Sequence, residues 1–207
     1  PPYFYGVYLR WNFYRTAIIK NAVAGNKKLL IVCNQVKRAQ LLFDNICNNY
    51  PNIAKMLIHS RFKRGDRAIL ETTLKDSFNT SNNACIVVST QVVEVSLDIS
   101  FDVMITECAP IDAMIQRFGR INRKRTDETI GKYKDIYVIQ PPKDKKDALP
   151  YDIDVLKKSF DVLPNNSLLE EMKLQALIDM VYPDSKFMNL DYSGVVFVND
   201  KWIINLR

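Results

Sequence analysis

The chain has 207 residues, 47% hydrophobic and 25% charged, with 29 Lys and Arg against 23 Asp and Glu for a net charge of +6. That length fits one domain plus an appendage and can bury a real core, and the cation excess suits a polyanionic partner. A single histidine, His59, and four cysteines without a CxxC pair argue against a zinc site or a disulfide scaffold, and no apolar stretch is long enough to span a membrane.

Residues 3–25 carry a helical apolar pattern through Ile18, Ile19, Ala22 and Val23, stopped by Gly25. There is no basic-then-apolar signal at the start, and Pro1–Pro2 in place of Met suggests an excised fragment. The pattern then becomes rhythmic. Leu29–Cys33 is a short apolar run, followed by a helix-like stretch from Val36 to Tyr50. Lys55–His59 is followed by a helix-like stretch from Asp66 to Phe78. Ala84–Thr90 is rich in β-branched residues, Val103–Cys108 precedes another helix-like stretch, and Ile136–Gln140 is a fifth run. Apolar runs alternating with amphipathic helices predict a mostly parallel α/β sheet covered on both faces. Ligands of such sheets bind outside the carboxyl ends of the strands. Asn34, His59–Arg61, Thr90–Gln91 and Glu107 cluster there. Cys33, Cys85 and Cys108 lie in the strand-like runs, which predicts buried thiols in a reducing cytosol. Residues 141–150, PPKDKKDALP, read as a linker. Two helix-like segments follow, about 152–163 and 167–181, and the end reads as a hairpin turning at Asn199–Asp200. The predicted organisation is a helical lead-in over 1–26, the α/β lobe over 27–140, a linker over 141–150 and a small helical and hairpin appendage over 151–207. Phe197 and Trp202 of that tail read as core.

The eight residues Gln116–Arg123, QRFGRINR, carry the most information. Read as a helix, Gln116, Gly119, Arg120 and Arg123 fall at i, i+3, i+4 and i+7, on one stripe. Arginine keeps its charge at neutral pH and its planar fork matches phosphate oxygens. Gly119 lets another surface approach. One reading is a phosphate clamp on a nucleotide held partly by another domain; the other is a basic amphipathic helix with a solvated face. Arg117 lies about 100° from that stripe, which points to a structural ion pair. At Val88–Asp98, VSTQVVEVSLD, a strand ends in hydroxyls and an amide that suit phosphate oxygens, and a carboxylate a few residues on suits ribose hydroxyls; an N-capping Ser or Thr is the alternative.

Taken whole, VVSTQVVEVSLDISFDVMITECAPIDAMIQRFGRINR resembles motifs five and six of the superfamily 2 helicases. Its order and TQ-VE-xx-D form are most similar to the CRISPR-associated helicase of type I systems. LLIVCNQVKRAQLLF resembles that family's fourth motif, and LIHSRFKRGDR its HSRF segment, so the resemblance covers roughly residues 27–140. Gln35 stands where the family often has Thr, and Ser96 where a Gly is often found.

The resemblance implies a second RecA-like lobe of a helicase whose two lobes sandwich ATP and track single-stranded DNA. Arg120 and Arg123 match arginine fingers reaching the γ-phosphate. Gln116 matches the residue that helps position that phosphate and the attacking water. Asp98 matches a carboxylate that touches ribose or couples to motif six. Asn34, Ser60, Arg61, Thr90 and Gln91 match positions that grip the DNA backbone. Arg67 could join that grip or pair with Asp66 or Glu71, and His59, alone, reads as a packed or hydrogen-bonded histidine. No GxxxxGK[ST] loop is present, since AVAGNKK at 22–28 lacks the spacing, and there is no DExH or DEAD box. ATP and Mg²⁺ would therefore be held mainly by a first lobe, and one histidine cannot supply the family's nuclease site. The implied partners are single-stranded DNA, the first lobe and nuclease domain of a parent protein, and a CRISPR surveillance complex, in the cytoplasm. Two alternatives stand beside this: the same lobe of a superfamily 2 helicase acting on RNA, and a stand-alone module that grips nucleic acid without hydrolysis.

Overall fold

The computed structural model describes residues 4–9, 14–80, 82–94, 100–121, 133–165, 167–183, 195–198 and 201–204. In chain order these form β1 (Phe4–Leu9), α1 (Tyr14–Ala24), β2 (Lys28–Val32), α2 (Val36–Asn49), β3 (Ala54–Ile58), α3 (Arg64–Thr73), β4 (Cys85–Ser89), β5 (Val103–Glu107), α4 (Ile111–Phe118), β6 (Lys134–Ile139), α5 (Lys145–Ala148), α6 (Ile153–Asp161), β7 (Leu168–Leu169), α7 (Leu174–Val181), β8 (Val195–Val198) and β9 (Lys201–Ile204). One sheet runs in the order β3-β4-β2-β5-β6-β1-β7. Its pairings are parallel except β1 with β7. β8 and β9 form a separate antiparallel hairpin in which Val198 pairs with Lys201; the turn expected at Asn199–Asp200 lies outside the described residues.

All five expected apolar runs are strands of a RecA-like sheet, with ends shifted by one or two residues. Their continuous hydrophobicity follows from burial on both faces. Leu29, Ile31, Ile86, Val88, Val103 and Ile105 pack against Ile18, Ile19 and Ala22 of α1 and Ala39, Leu42 and Ile46 of α2. The intervening residues Leu30, Val32, Val87, Met104, Ile136 and Val138 pack on the opposite face with Met114 and Phe118 of α4, Leu156 of α6 and Val181 of α7. The period of two along each strand thus divides one run of apolar residues between two cores.

Three expectations need correction. The lead-in is not helical throughout: Phe4–Leu9 pairs in parallel with β6. Residues 141–150 are not a free linker. Ala148 is buried, Gln35 Nε2 donates to the Leu149 carbonyl at 3.0 Å, and Arg38 donates to the Asp147 carbonyl. Two side chains from the start of α2 therefore hold this segment on the lobe. The segment expected as a helix over 167–181 splits. Leu168–Leu169 pairs with Tyr5 and Phe4, a short 3-10 turn spans Glu171–Lys173, and α7 follows.

Ile153, Leu156, Leu163, Leu169 and Val181 of the C-terminal segment share the core of the lobe, so the segment does not hang from it. α4 lacks a side-chain cap of its own; Ser159 Oγ of α6 accepts from the Ile111 N–H at 3.1 Å, and the Cys108 thiol donates to the Leu156 carbonyl at 3.3 Å. Leu156 is completely buried. Leu156→Ala is expected to lower the stability of the whole lobe by about 2–5 kcal/mol, the range for Leu-to-Ala cavities in cores. Urea unfolding should stay a single transition with a lower midpoint; a separate early transition confined to the C-terminal helices would contradict the shared core.

Candidate functional site

Parallel pairing brings the carboxyl ends of β3, β4, β2, β5 and β6 to one edge of the sheet, in that order. Neighbouring strands lie about 4.8 Å apart, so residues distant in sequence become close neighbours there. Ser60 and Arg61 follow β3, Thr90 and Gln91 follow β4, and Asn34 follows β2.

Ser60 and Arg61 are exposed on this edge. His59 is 5% exposed and stacks on Phe62 with ring centroids 4.3 Å apart, the packed histidine that was expected. Burial, aided by the Arg61 cation, holds its pKa below the ordinary 6.5 and leaves the ring neutral. Thr90 is fully buried. Thr90 Oγ1 and His59 Nδ1 are buried without a hydrogen-bond partner on adjacent strand ends, and such atoms are rare in folded proteins. Asn34 is 6% exposed and spends its side chain inward: Nδ2 donates to the Cys108 carbonyl at 2.8 Å and Oδ1 accepts from Arg117 at 3.1 Å. Its N–H donates to the Glu107 carboxylate at 2.6 Å. Gln91 Nε2 donates to the Asn34 carbonyl at 2.9 Å, so it braces the edge as well as lining it. Arg67 pairs with Glu71 at 3.1 Å rather than with Asp66.

The helix carrying Gln116 ends at Phe118, well before Arg123, so the expected four-residue stripe does not form as a helix. Gly119 caps it, and 3-10-type bonds tighten the exit: Arg120 N–H to the Arg117 carbonyl and Ile121 N–H to the Phe118 carbonyl, each 2.9 Å. Ile121 then bridges to Phe101, whose N–H donates to the Arg120 carbonyl at 3.0 Å. Gln116 and Gly119 remain exposed. Arg120 leaves the helix, and its Nη2 donates to the Glu94 carbonyl at 2.8 Å. Arg123 and Asp98 lie outside the described residues.

Arg117 sits on the inward face with Ile111, Met114 and Phe118 and is completely buried. Its expected ion pair is with Glu94, at 2.8 Å from Nε. Nη1 donates to Thr106 Oγ1 at 2.9 Å and the Glu107 carbonyl at 3.1 Å; Nη2 donates to Asn34 at 3.1 Å and Tyr151 at 3.4 Å. A planar fork suits such a many-sided socket, and an ammonium does not. Glu94, Thr106 and Tyr151 are residues that the sequence reading missed. Glu94 stands inside the TQVVE motif and Glu107 closes an apolar run, which were signals; Tyr151 had none. Glu107 also pairs with Arg38 at 3.2 Å.

Cys33, Cys85 and Cys108 are buried free thiols, as expected. Burial pushes Cys85 up to about 11 and Cys108 to about 12, so neither offers a thiolate. Among the described residues no group of three His, Cys, Asp or Glu could hold a metal ion, and no helix is long and apolar enough to cross a membrane.

Truncating Arg117 strands its partners in the interior. Arg117→Ala should cost about 3–5 kcal/mol in urea unfolding of this chain, the range for breaking a buried pair. Gln116→Ala, one residue away but exposed, should stay within about 0.5 kcal/mol. Equal effects would contradict the division into inward and outward faces.

Comparison with known proteins gives the same picture. Residues 25–126 match the family model described as the C-terminal part of the CRISPR-associated nuclease/helicase Cas3. A putative CRISPR-associated nuclease/helicase Cas3 of Methanocaldococcus jannaschii is 33% identical over 175 residues, covering 81% of this chain and 23% of the relative. The CRISPR-associated endonuclease/helicase Cas3 of Escherichia coli is 35% identical over 106 residues, covering 49% of this chain and 12% of the relative. The crystal structure of T. fusca Cas3 with AMPPNP superposes with a TM-score of 0.76 at 23% identity, over 93% of this chain and 25% of that one. A chain solved in a CRISPR RNA-guided surveillance complex before nicking has the same fold, with a TM-score of 0.70 at 23% identity, over 93% of this chain and 26% of that one. The chain spans about a quarter or less of each of these proteins. With the motifs on one sheet edge, the two cores and these matches together, the chain belongs to the Cas3 nuclease/helicase family, as its C-terminal helicase lobe.

Proposed function

We propose that this lobe supplies one wall of an ATP site and part of a single-stranded DNA track in an ATP-driven helicase of type I CRISPR interference. The observation that carries this is the placement of Gln116 and Gly119. They are exposed at the end of a helix whose next inward residue, Arg117, is locked into the strand ends. A surface so anchored can meet a nucleotide from another lobe without yielding.

In this reading Gln116, Arg120 and Arg123 would face the γ-phosphate, with Asp98 near the ribose. The fit rests on donor chemistry: the exposed Gln116 amide and the half-buried Arg120 guanidinium carry donors that suit phosphate oxygens. Bound ATP and Mg²⁺, held mainly by the first lobe, supply the phosphoryl transfer itself. At the end of β3, Ser60 and Arg61 offer an exposed hydroxyl and guanidinium to a DNA backbone. Gln91 completes the grip, and the fully buried Thr90 supports it from beneath. Asn34 acts from beneath, through its contacts with Gln91 and Arg117. None of these groups reads a base, so the grip is backbone-directed and salt-sensitive. The parent would add the first lobe and a nuclease domain and act in the cytoplasm, where thiols stay reduced. A surveillance complex, like the one holding the related chain, would deliver the DNA.

The test uses the full-length parent. Arg120→Ala and Arg123→Ala should each lower the turnover of ATP by about 10³–10⁵, as loss of an arginine finger does. DNA affinity should change by no more than about threefold, because the stabilised charge develops only in the transition state. Lysine at either position should rescue poorly, and this chain alone should not hydrolyse ATP. Undiminished turnover in both variants, or robust DNA-stimulated hydrolysis by the isolated chain, would overturn the reading.

A further inference from the structure

Between the proposed DNA grip and the proposed arginine finger lies a single short element, the 3-10 turn Gln91–Glu94. At its start, Gln91 Nε2 is tied to the Asn34 carbonyl at 2.9 Å. In its middle, Val93 is buried at 3% exposure and its N–H donates to the Thr90 carbonyl at 3.3 Å. At its end Glu94 is held twice. Its carboxylate accepts from Arg117 Nε at 2.8 Å, and its carbonyl accepts from Arg120 Nη2 at 2.8 Å. A 3-10 turn rises about 2 Å per residue, so Thr90 and the Arg120 contact are joined by a rod of only about 8 Å.

We infer that Glu94 is a positioning residue: it fixes where the Arg120 guanidinium sits and makes that position depend on what contacts Gln91. The inference rests on the function proposed above. The ion pair with Arg117 fixes the carboxylate, and with it the height and tilt of the carbonyl that Arg120 grips. A strand seated against Gln91, the first residue of the turn, acts on the same rigid element. Packed elements shift between discrete positions rather than deforming smoothly, so a small displacement at the strand end reaches Arg120 whole. Glu94 itself touches neither nucleotide nor DNA; it acts through Arg117 and Arg120.

Glu94→Gln in the full-length parent is the decisive variant, since the amide keeps an acceptor for Arg117 and removes only the charge. Hydrolysis is measured with and without single-stranded DNA, alongside KM for ATP, strand affinity and melting temperature. The ratio of stimulated to basal kcat should fall by about tenfold. KM and strand affinity should stay within about twofold, because Glu94 holds neither ligand. Glu94→Ala should lose more stimulation, and Glu94→Asp should recover part of it. A folded Glu94→Gln protein stimulated as fully as the parent would overturn the inference. So would a loss of stimulation matched by an equal loss of strand affinity, which would make Glu94 a strand contact. If the unsubstituted parent is not stimulated by DNA at all, it is the proposed function that fails, and that arm contains no variant.

Discussion

The burial of one guanidinium organises the site. Arg117 has no exposed surface, and taking a charge of that kind out of water costs several kcal/mol unless its surroundings answer it. Here they do: Glu94, Thr106, Glu107, Asn34 and Tyr151 supply acceptors from the 3-10 turn, the end of β5, the end of β2 and the residue leading into α6. A cation that must satisfy all of these contacts at once leaves little freedom in their relative positions. The strand ends and α4 behave as one piece because Arg117 would be stranded if they did not.

The rest of the lobe can be read as what makes that socket possible. The parallel sheet delivers the ends of β2, β4 and β5 side by side, and its two cores keep them there. At the other end of the sheet, Asp102 accepts from the Lys28 N–H at 2.9 Å and from Lys134 Nζ at 2.8 Å, which pins the starts of β2, β5 and β6 together. Burial alone would raise the Asp102 pKa, but these donors outweigh it and hold the carboxyl below its ordinary range. α6 supplies the missing cap of α4 through Ser159. The C-terminal segment is thus a working part of the site's support, and Tyr151 carries it directly to Arg117.

How much of this was legible in the sequence follows from which interactions are local. The five apolar runs declared themselves because strands covered on both faces need no alternation. The opposite fates of Gln116 and Arg117 followed from the angle between successive helical residues. The end of α4 was not written locally: Gly119 keeps a right-handed backbone with φ −60°, which any residue adopts, and the stripe reading carried the helix through it to Arg123. β1 went unseen although YFYGVYL is rich in aromatic residues, because the helical pattern of α1 was extended back across it. The identity of Arg117's partner, the docking of 141–150 and the role of Tyr151 depend on contacts far apart in sequence, and no local pattern encodes them.

The central claim, that Arg117 locks the strand ends and α4 into one unit, is tested most directly by native-state hydrogen exchange of this chain with Arg117→Lys. The amides of Asn34, Val93 and Ile121 report on three different segments of the socket. The account predicts that lysine, which cannot fill the socket, speeds exchange at all three by a common factor, as one cooperative opening. The Lys28 amide, bonded to Asp102 at the far end of the sheet, should keep its protection. Faster exchange at Ile121 alone, with Asn34 and Val93 unchanged, would contradict the account.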